Sequence, residues 1–357
     1  MKEHKKTHKG STDNKNYILP FEMVWRKEVK CSYQPINTNL LPHNLPDNKR
    51  RFPFKSVDIS KEIVAVNNKF LTVEKKEKIW IALLDDWNDY YINNFDLIRN
   101  LCRKGIPQTV RGIIWLNLIR IKDNFNLNTY ENMDSDPKCT YEISKDLNRQ
   151  YPNHEMFSSS SHYGEQGQRN LFNILKAYTI IFPEKGYCQA QAPIAALLLI
   201  QTPPEYAFKL FIGICETIAK DYYSDNLDRL QKEGKILKSL LKLHLPKIYH
   251  LFEEYDVQPE LYMVEWFLCL YSRTFPIDVV FRLWDILFCE GHKIIFKTAL
   301  VLIKHIFMKK ISNPDTITIL QKLKKVPESL TNGDYLISEI LKTKIEHYEL
   351  IQVHYNM

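Results

Sequence analysis

The feature that most constrains this chain is the period at which its apolar residues recur. From Thr72 onward they return every three or four positions, as Trp80, Leu83, Leu84, Trp87, Tyr90 and Tyr91 do in TVEKKEKIWIALLDDWNDYY. That is the spacing of one face of an α-helix. Thr72 is placed to cap it, with Glu74 in the first turn. Comparable stripes follow at Val110, Ile114 and Leu118, at Leu171, Ile174, Leu175 and Tyr178, at Ala207, Phe211 and Cys215, and onward to Ala299–Phe307. Pro107, Pro203, Pro246, Pro259 and Pro276 stand at the joints, where proline suits a first helical turn. Glycine is scarce, 10 of 357 residues, and no stretch alternates apolar and polar residues with β-branched enrichment. The expected body is therefore all-α, a bundle of more than a dozen helices over residues 71–350, with no fixed-period repeat.

Residues 1–70 have another texture: polar, Lys/Asn-rich and proline-spotted, which predicts a largely irregular extension. The charge is also uneven. Residues 1–55 hold 12 Lys/Arg against 5 Asp/Glu, whereas the remainder holds 37 of each, so the whole net charge of +7 belongs to the extension. Such a tail stays solvated or touches an anionic membrane surface. The body has no basic face interleaved with aromatic residues, which argues against nucleic acid as a partner. Seven dispersed cysteines with no CxxC pair fit a reducing compartment. The longest apolar run, Ala192–Ile200, is too short to span a bilayer. A cytoplasmic monomer, peripheral at most to endomembranes, is the expectation.

Enzyme signatures are few. Walker A, GxGxxG, HExxH and GxSxG patterns are all missing. Three stretches stand out instead. In YEISKDLNRQYPNHEMF, Ile143 and Leu147 share a helical face, and Arg149 points about 140° away from the middle of it. Asp146 lies within pairing reach of Arg149, and Pro152 is expected to end the helix near Tyr151. Taken alone, such an arginine is accounted for by the helix dipole and an ordinary surface pair. In FPEKGYCQAQAPIAALLL a Pro-Glu-Lys-Gly turn precedes an apolar helix, with Tyr187 and Gln189 at the junction, so that the Gln189 amide is delivered next to a rigid buried helix yet is expected to be exposed in a groove shared with Arg149. In CRKGIPQTVRGIIW, Arg111 and Trp115 lie on one face, a spacing that suits cation–π or packing support.

Together these stretches resemble the TBC-domain family of Rab GTPase-activating proteins, and the match runs over roughly residues 75–345. The family's opening Lys-Gly-Ile-Pro turn and Arg-x-x-x-Trp helix look like Lys104–Pro107 with Arg111 and Trp115. Its Ile-x-x-Asp-x-x-Arg motif matches Ile143, Asp146 and Arg149, and its Tyr-x-Gln motif matches Tyr187 and Gln189. The stretch Leu261–Gly291 resembles the family's second half. Most of the family continues Tyr-x-Gln with Gly-Met-Asn. Here Ala190-Gln191-Ala192 follows, as in a subgroup similar to Rab activators that interact with PDZ scaffolds.

The resemblance implies a TBC-like helical bundle that stimulates GTP hydrolysis on a GTP-bound Rab protein in vesicle trafficking. Arg149 would be an arginine finger on the transferring phosphoryl group and Gln189 a glutamine finger on the attacking water. Asp146, Tyr187, Arg111, Trp115 and Ile143 would support them. GTP and Mg²⁺ would be held by the partner, so no cofactor of the chain's own is expected, nor turnover of a substrate of its own. The alternative is a catalytically silent TBC-like module that docks a GTPase or a trafficking adaptor.

Overall fold

A computed structural model describes residues 72–121, 125–224, 226–309 and 311–345. The extension expected over residues 1–70, with its basic charge, lies outside the described residues. Among those described the regular structure is entirely helical: sixteen α-helices and two short 3₁₀ turns, with no strand.

The first apolar stripe is divided. It makes α1 (Val73–Asp85) and α2 (Trp87–Asn93), broken at Asp86, whose φ of −137° and ψ of 43° leave the helical region. The spacing alone predicts one continuous helix. Trp80 and Leu83 on α1 and Trp87 and Tyr91 on α2 are all buried, so the apolar stripe stays inward across the break. Next come α3 (Phe95–Arg103), α4 (Gln108–Ile119), α5 (Leu127–Glu131), α6 (Pro137–Leu147), α7 (Gly164–Ile181), α8 (Gln191–Gln201) and α9 (Pro204–Glu216). The second half has α10 (Asp228–His244), α11 (Pro246–Glu254), α12 (Met263–Leu268), α13 (Ile277–Glu290), α14 (Lys293–Ile306), α15 (Thr316–Leu323) and α16 (Gly333–Lys342). The prolines sit where a first turn accepts them: Pro107, Pro203 and Pro276 cap α4, α9 and α13, and Pro246 opens α11.

Two helices organise the packing. In the first half α8 packs against α7 and α9, and every residue from Gln191 to Leu199 is buried. A helix that is apolar all round must be enclosed. In the second half α13 packs against α3, α4, α14 and α16. α4 touches both centres, through α9 and α13.

Near the site, two glycines are required by space or angle. Gly167 on α7 takes the backbone of the preceding loop so closely that a Cβ there would meet Met156 O at 1.8 Å. Gly186, in the turn after α7, has φ +60°, which an L side chain rarely adopts.

Candidate functional site

α6 is the element that presents Arg149. Its start is set by Asp136, whose carboxylate accepts from Lys138 N at 2.9 Å, with Pro137 in the first turn. Its inner face is Ile143, fully buried, and Asp146, with Leu147 half-buried. The α-helix ends at Leu147, four residues earlier than the expected end at Tyr151. The last turn tightens, with Arg149 N donating to Asp146 O at 3.4 Å and Gln150 N to Leu147 O at 3.2 Å. Tyr151 then turns into the left-handed region at φ +44°. Proline disfavours the right-handed helical conformation in the residue before it. Arg149 therefore stands just beyond the helix, in the tightened turn, and faces outward as expected.

The arginine is held as it leaves. Its Nη2 donates to Asp146 Oδ1, and the side chain of Asp146 is 6% exposed against 47% for that of Arg149. The other carboxylate oxygen of Asp146 accepts the Tyr187 hydroxyl at 2.6 Å. Burial and the neighbouring Asp146 carboxylate push the Tyr187 phenol well above its ordinary value, so it stays a neutral donor. A buried carboxylate thus aims one N–H group of a guanidinium that has five.

Tyr187 and Gln189 arrive from the turn after α7. Lys185 N donates to Phe182 O at 3.0 Å, and Lys185 Nζ reaches both oxygens of Glu216 at 2.7 and 2.6 Å. At the start of α8, buried Gln191 accepts from Cys188 N at 3.0 Å while its own N–H donates to Cys188 O at 2.9 Å. This reciprocal cap fixes the junction and turns Gln189 outward. Gln189 is exposed, and among the described residues its side chain has no hydrogen-bond partner. The buried amide of the motif belongs to Gln191, whose role sequence reasoning missed. Its signal was the three-residue spacing from Cys188 at a helix start.

Arg149 and Gln189, forty residues apart in sequence, line one surface concavity of about 250 Å³ together with Glu142, Lys145, Asp146 and Tyr187. Glu142 and Lys145, also missed from sequence, pair with each other at 2.9 Å on the rim.

Arg111 and Trp115 do not line this concavity. They meet at Asp285 on α13, which is completely buried. Arg111 Nε and Trp115 Nε1 each donate to Asp285 Oδ1 at 3.0 Å, and Ile106 N donates to Oδ2 at 3.0 Å. Arg111 Nη2 also donates to Ile106 O at 2.6 Å. Burial pushes the Asp285 carboxyl up from its usual range, and Arg111, Arg282 and the Ile106 N–H pull it back. The cation–π geometry expected between Arg111 and Trp115 is present, at 6.0 Å to the ring centroid, but it accompanies an ion pair that the sequence did not reveal. Asp285 ties the Lys104–Pro107 turn to α13 and so joins the two halves.

Residues 108–311 match the Rab-GTPase-TBC domain family, RabGAP-TBC. The chain is 37% identical over 294 residues to mouse TBC1 domain family member 10A, covering 79% of this chain and 57% of that protein. It is 37% identical over 285 residues to the Drosophila melanogaster protein TBC1 domain family member whacked, covering 77% of this chain and 78% of that one. It spans only 34% of the length of human TBC1 domain family member 10B, at 38% identity over 74% of this chain. Among solved structures, the Ypt/Rab-GAP domain of Gyp1p superposes with a TM-score of 0.62 at 18% identity, over 76% of this chain and 98% of that one. The Chlamydomonas flagellar RabGAP TBC domain gives 0.60 at 24% identity, over 76% and 96%. Sequence family and helical architecture agree, and the chain belongs to the Rab-GTPase-TBC domain family.

Proposed function

We propose that this protein activates GTP hydrolysis on a Rab-family GTPase, supplying Arg149 and Gln189 to the partner's active site. The observation that carries this is their convergence. An exposed guanidinium held by a buried carboxylate and an exposed, uncommitted carboxamide come from different segments to one concavity.

The chemistry suits the task. In phosphoryl transfer catalysis is almost entirely positioning and charge stabilisation. A guanidinium is permanently charged and forks onto phosphate oxygens. With one N–H on Asp146, Arg149 keeps the others for the transferring group. A carboxamide both donates and accepts, so Gln189 can orient the attacking water. Asp146 and Tyr187 hold the arginine, Ile143 anchors its helix, and Arg111 with Trp115 secures the domain around Asp285. GTP and Mg²⁺ belong to the Rab in its GTP-bound state. The chain acts as a cytoplasmic monomer in vesicle trafficking, peripheral at most to endomembranes.

The test is single-turnover GTP hydrolysis across a panel of purified Rab proteins. At least one should be accelerated strongly by the wild-type protein. Binding to GTP-loaded Rabs without acceleration of any would replace this reading with that of a docking module.

A further inference from the structure

Gln150 and Tyr151, the two residues after Arg149, are tied to a segment more than a hundred positions later in the chain. Gln150 is 1% exposed and uses both ends of its amide. Its Nε2 donates to the backbone oxygen of Asp146 at 2.9 Å, and its Oε1 accepts from Arg273 Nη2 at 3.2 Å. The Tyr151 hydroxyl donates to Ser272 O at 2.8 Å.

The receiving segment is itself firmly mounted. Leu270 and Tyr271 are both left-handed, with φ +47° and +63°. Trp284 Nε1 on α13 donates to Leu270 O at 3.0 Å, and the Tyr271 hydroxyl donates to Ile295 O on α14 at 2.8 Å. Left-handed conformations of non-glycine residues persist only where surrounding structure holds them. Tyr151 is held in this way by Ser272, and Ser272 by the second half of the bundle.

We propose that Gln150 and Tyr151, docked on Arg273 and Ser272, are positioning residues that set the direction in which Arg149 leaves the end of α6. The inference rests on the reading of Arg149 given above. Asp146 fixes the guanidinium at one end of the arginine, and the tie to Ser272 and Arg273 fixes the backbone at the other. With both ends set, the side chain needs little reordering when a GTPase docks, and a fixed geometry is what such chemistry rewards. α6 alone could not supply the second point, because its helix has already ended at Leu147.

The experiment uses Tyr151→Phe in the 357-residue chain, which deletes only the hydroxyl, and Gln150→Met, which keeps the volume and removes the amide. Three quantities are read: amide hydrogen exchange over residues 148–157, thermal midpoint, and single-turnover GTP hydrolysis on a responsive Rab at varied activator concentration. Tyr151→Phe should speed exchange in that segment and lower the midpoint only slightly, by the loss of one hydrogen bond. It should lower the saturating rate about tenfold without moving the half-saturating concentration. Gln150→Met should show the same split between rate and half-saturation. Faster exchange with an unchanged saturating rate would overturn the positioning role, as would a loss confined to half-saturation, which marks a docking contact. Unchanged exchange would show that the hydroxyl does not hold the loop. A wild-type protein inactive on every Rab would remove the arginine's role itself, and the exchange measurement would then report separately whether the tie exists.

Discussion

Asp146→Asn is the sharpest probe of how the arginine is presented. Asp146 accepts the Arg149 guanidinium on one oxygen and the Tyr187 hydroxyl on the other. Asparagine preserves the shape of that arrangement. Its oxygen can still accept from Arg149, and its amide nitrogen can donate to the Tyr187 oxygen, because a hydroxyl turns to accept. What is lost is the charge. A hydrogen bond to a charged group contributes about 1.5–3 kcal/mol and a neutral one about 0.5–1.5. The difference, about 1 kcal/mol, corresponds to roughly a fivefold loss of rate if it all falls on presentation of Arg149. Asp146→Ala should be worse, since it frees the arginine and leaves the part-buried Tyr187 hydroxyl without its acceptor, a destabilisation of about 1–3 kcal/mol.

The assay is single-turnover hydrolysis on a responsive Rab, with thermal melting of each variant. Asp146→Asn should melt close to wild type and run several-fold slower. Placed in an Arg149→Ala background it should cause almost no further loss, because it acts through the residue already removed. A full wild-type rate for Asp146→Asn, or an equal extra loss when Arg149 is absent, would refute the presentation argument.

Arg149→Ala should reduce activation by about 10³–10⁵-fold, the range for an arginine supplied in trans to other GTPases. Its stability should fall by no more than about 1–3 kcal/mol, since buried Asp146 loses a charged partner but keeps the Tyr187 hydroxyl, and Arg149→Lys should rescue poorly for want of a planar fork. Gln189→Ala should slow hydrolysis severely and leave the urea midpoint unchanged, because the side chain is exposed. Asp285→Ala should be the most destabilising of these changes, by about 3–5 kcal/mol in chemical denaturation, because it strands the buried Arg111 charge. Stability should also fall in acid through Glu233. Burial raises its carboxyl, but His292, Arg229 and Tyr222 outweigh this and hold it below the usual 4.5. A depressed carboxylate gives stability that is complete above about pH 4.5 and lost as pH falls through the lower folded value. Glu233→Gln should flatten the decline in urea midpoint between pH 5 and 3.

The helices were legible because one signal, apolar spacing with proline at the joints, fixes both where they run and which face they bury. What escaped were the points where a helix stops for a tertiary reason. Nothing in ALLDDWND announces the break at Asp86, since either residue of the Asp pair could sit on a helix surface and the apolar spacing runs through it uninterrupted. The end of α6 was misplaced for a related reason. Pro152 marks where a helix cannot continue, but the arginine turn closes earlier, on contacts from Ser272 and Arg273 that lie beyond any local window. Arg149, Asp146, Tyr187 and Gln189 were legible as motifs, but their order along the chain cannot show that a carboxylate links two of them. Asp285 was the hardest to find. An aspartate inside FRLWDILFCEG reads as a lone polar residue on an apolar helix, and its partners Arg111, Trp115 and Ile106 are some 170 residues or more away. A buried charge of that kind becomes intelligible only once its donors are in place, because an unpaired carboxylate would not tolerate the site. The side chains that meet in the concavity could thus be named from sequence, while most of the groups that hold them there could not. Aiming depends on long-range contacts, and those are set by how the two halves of the bundle meet.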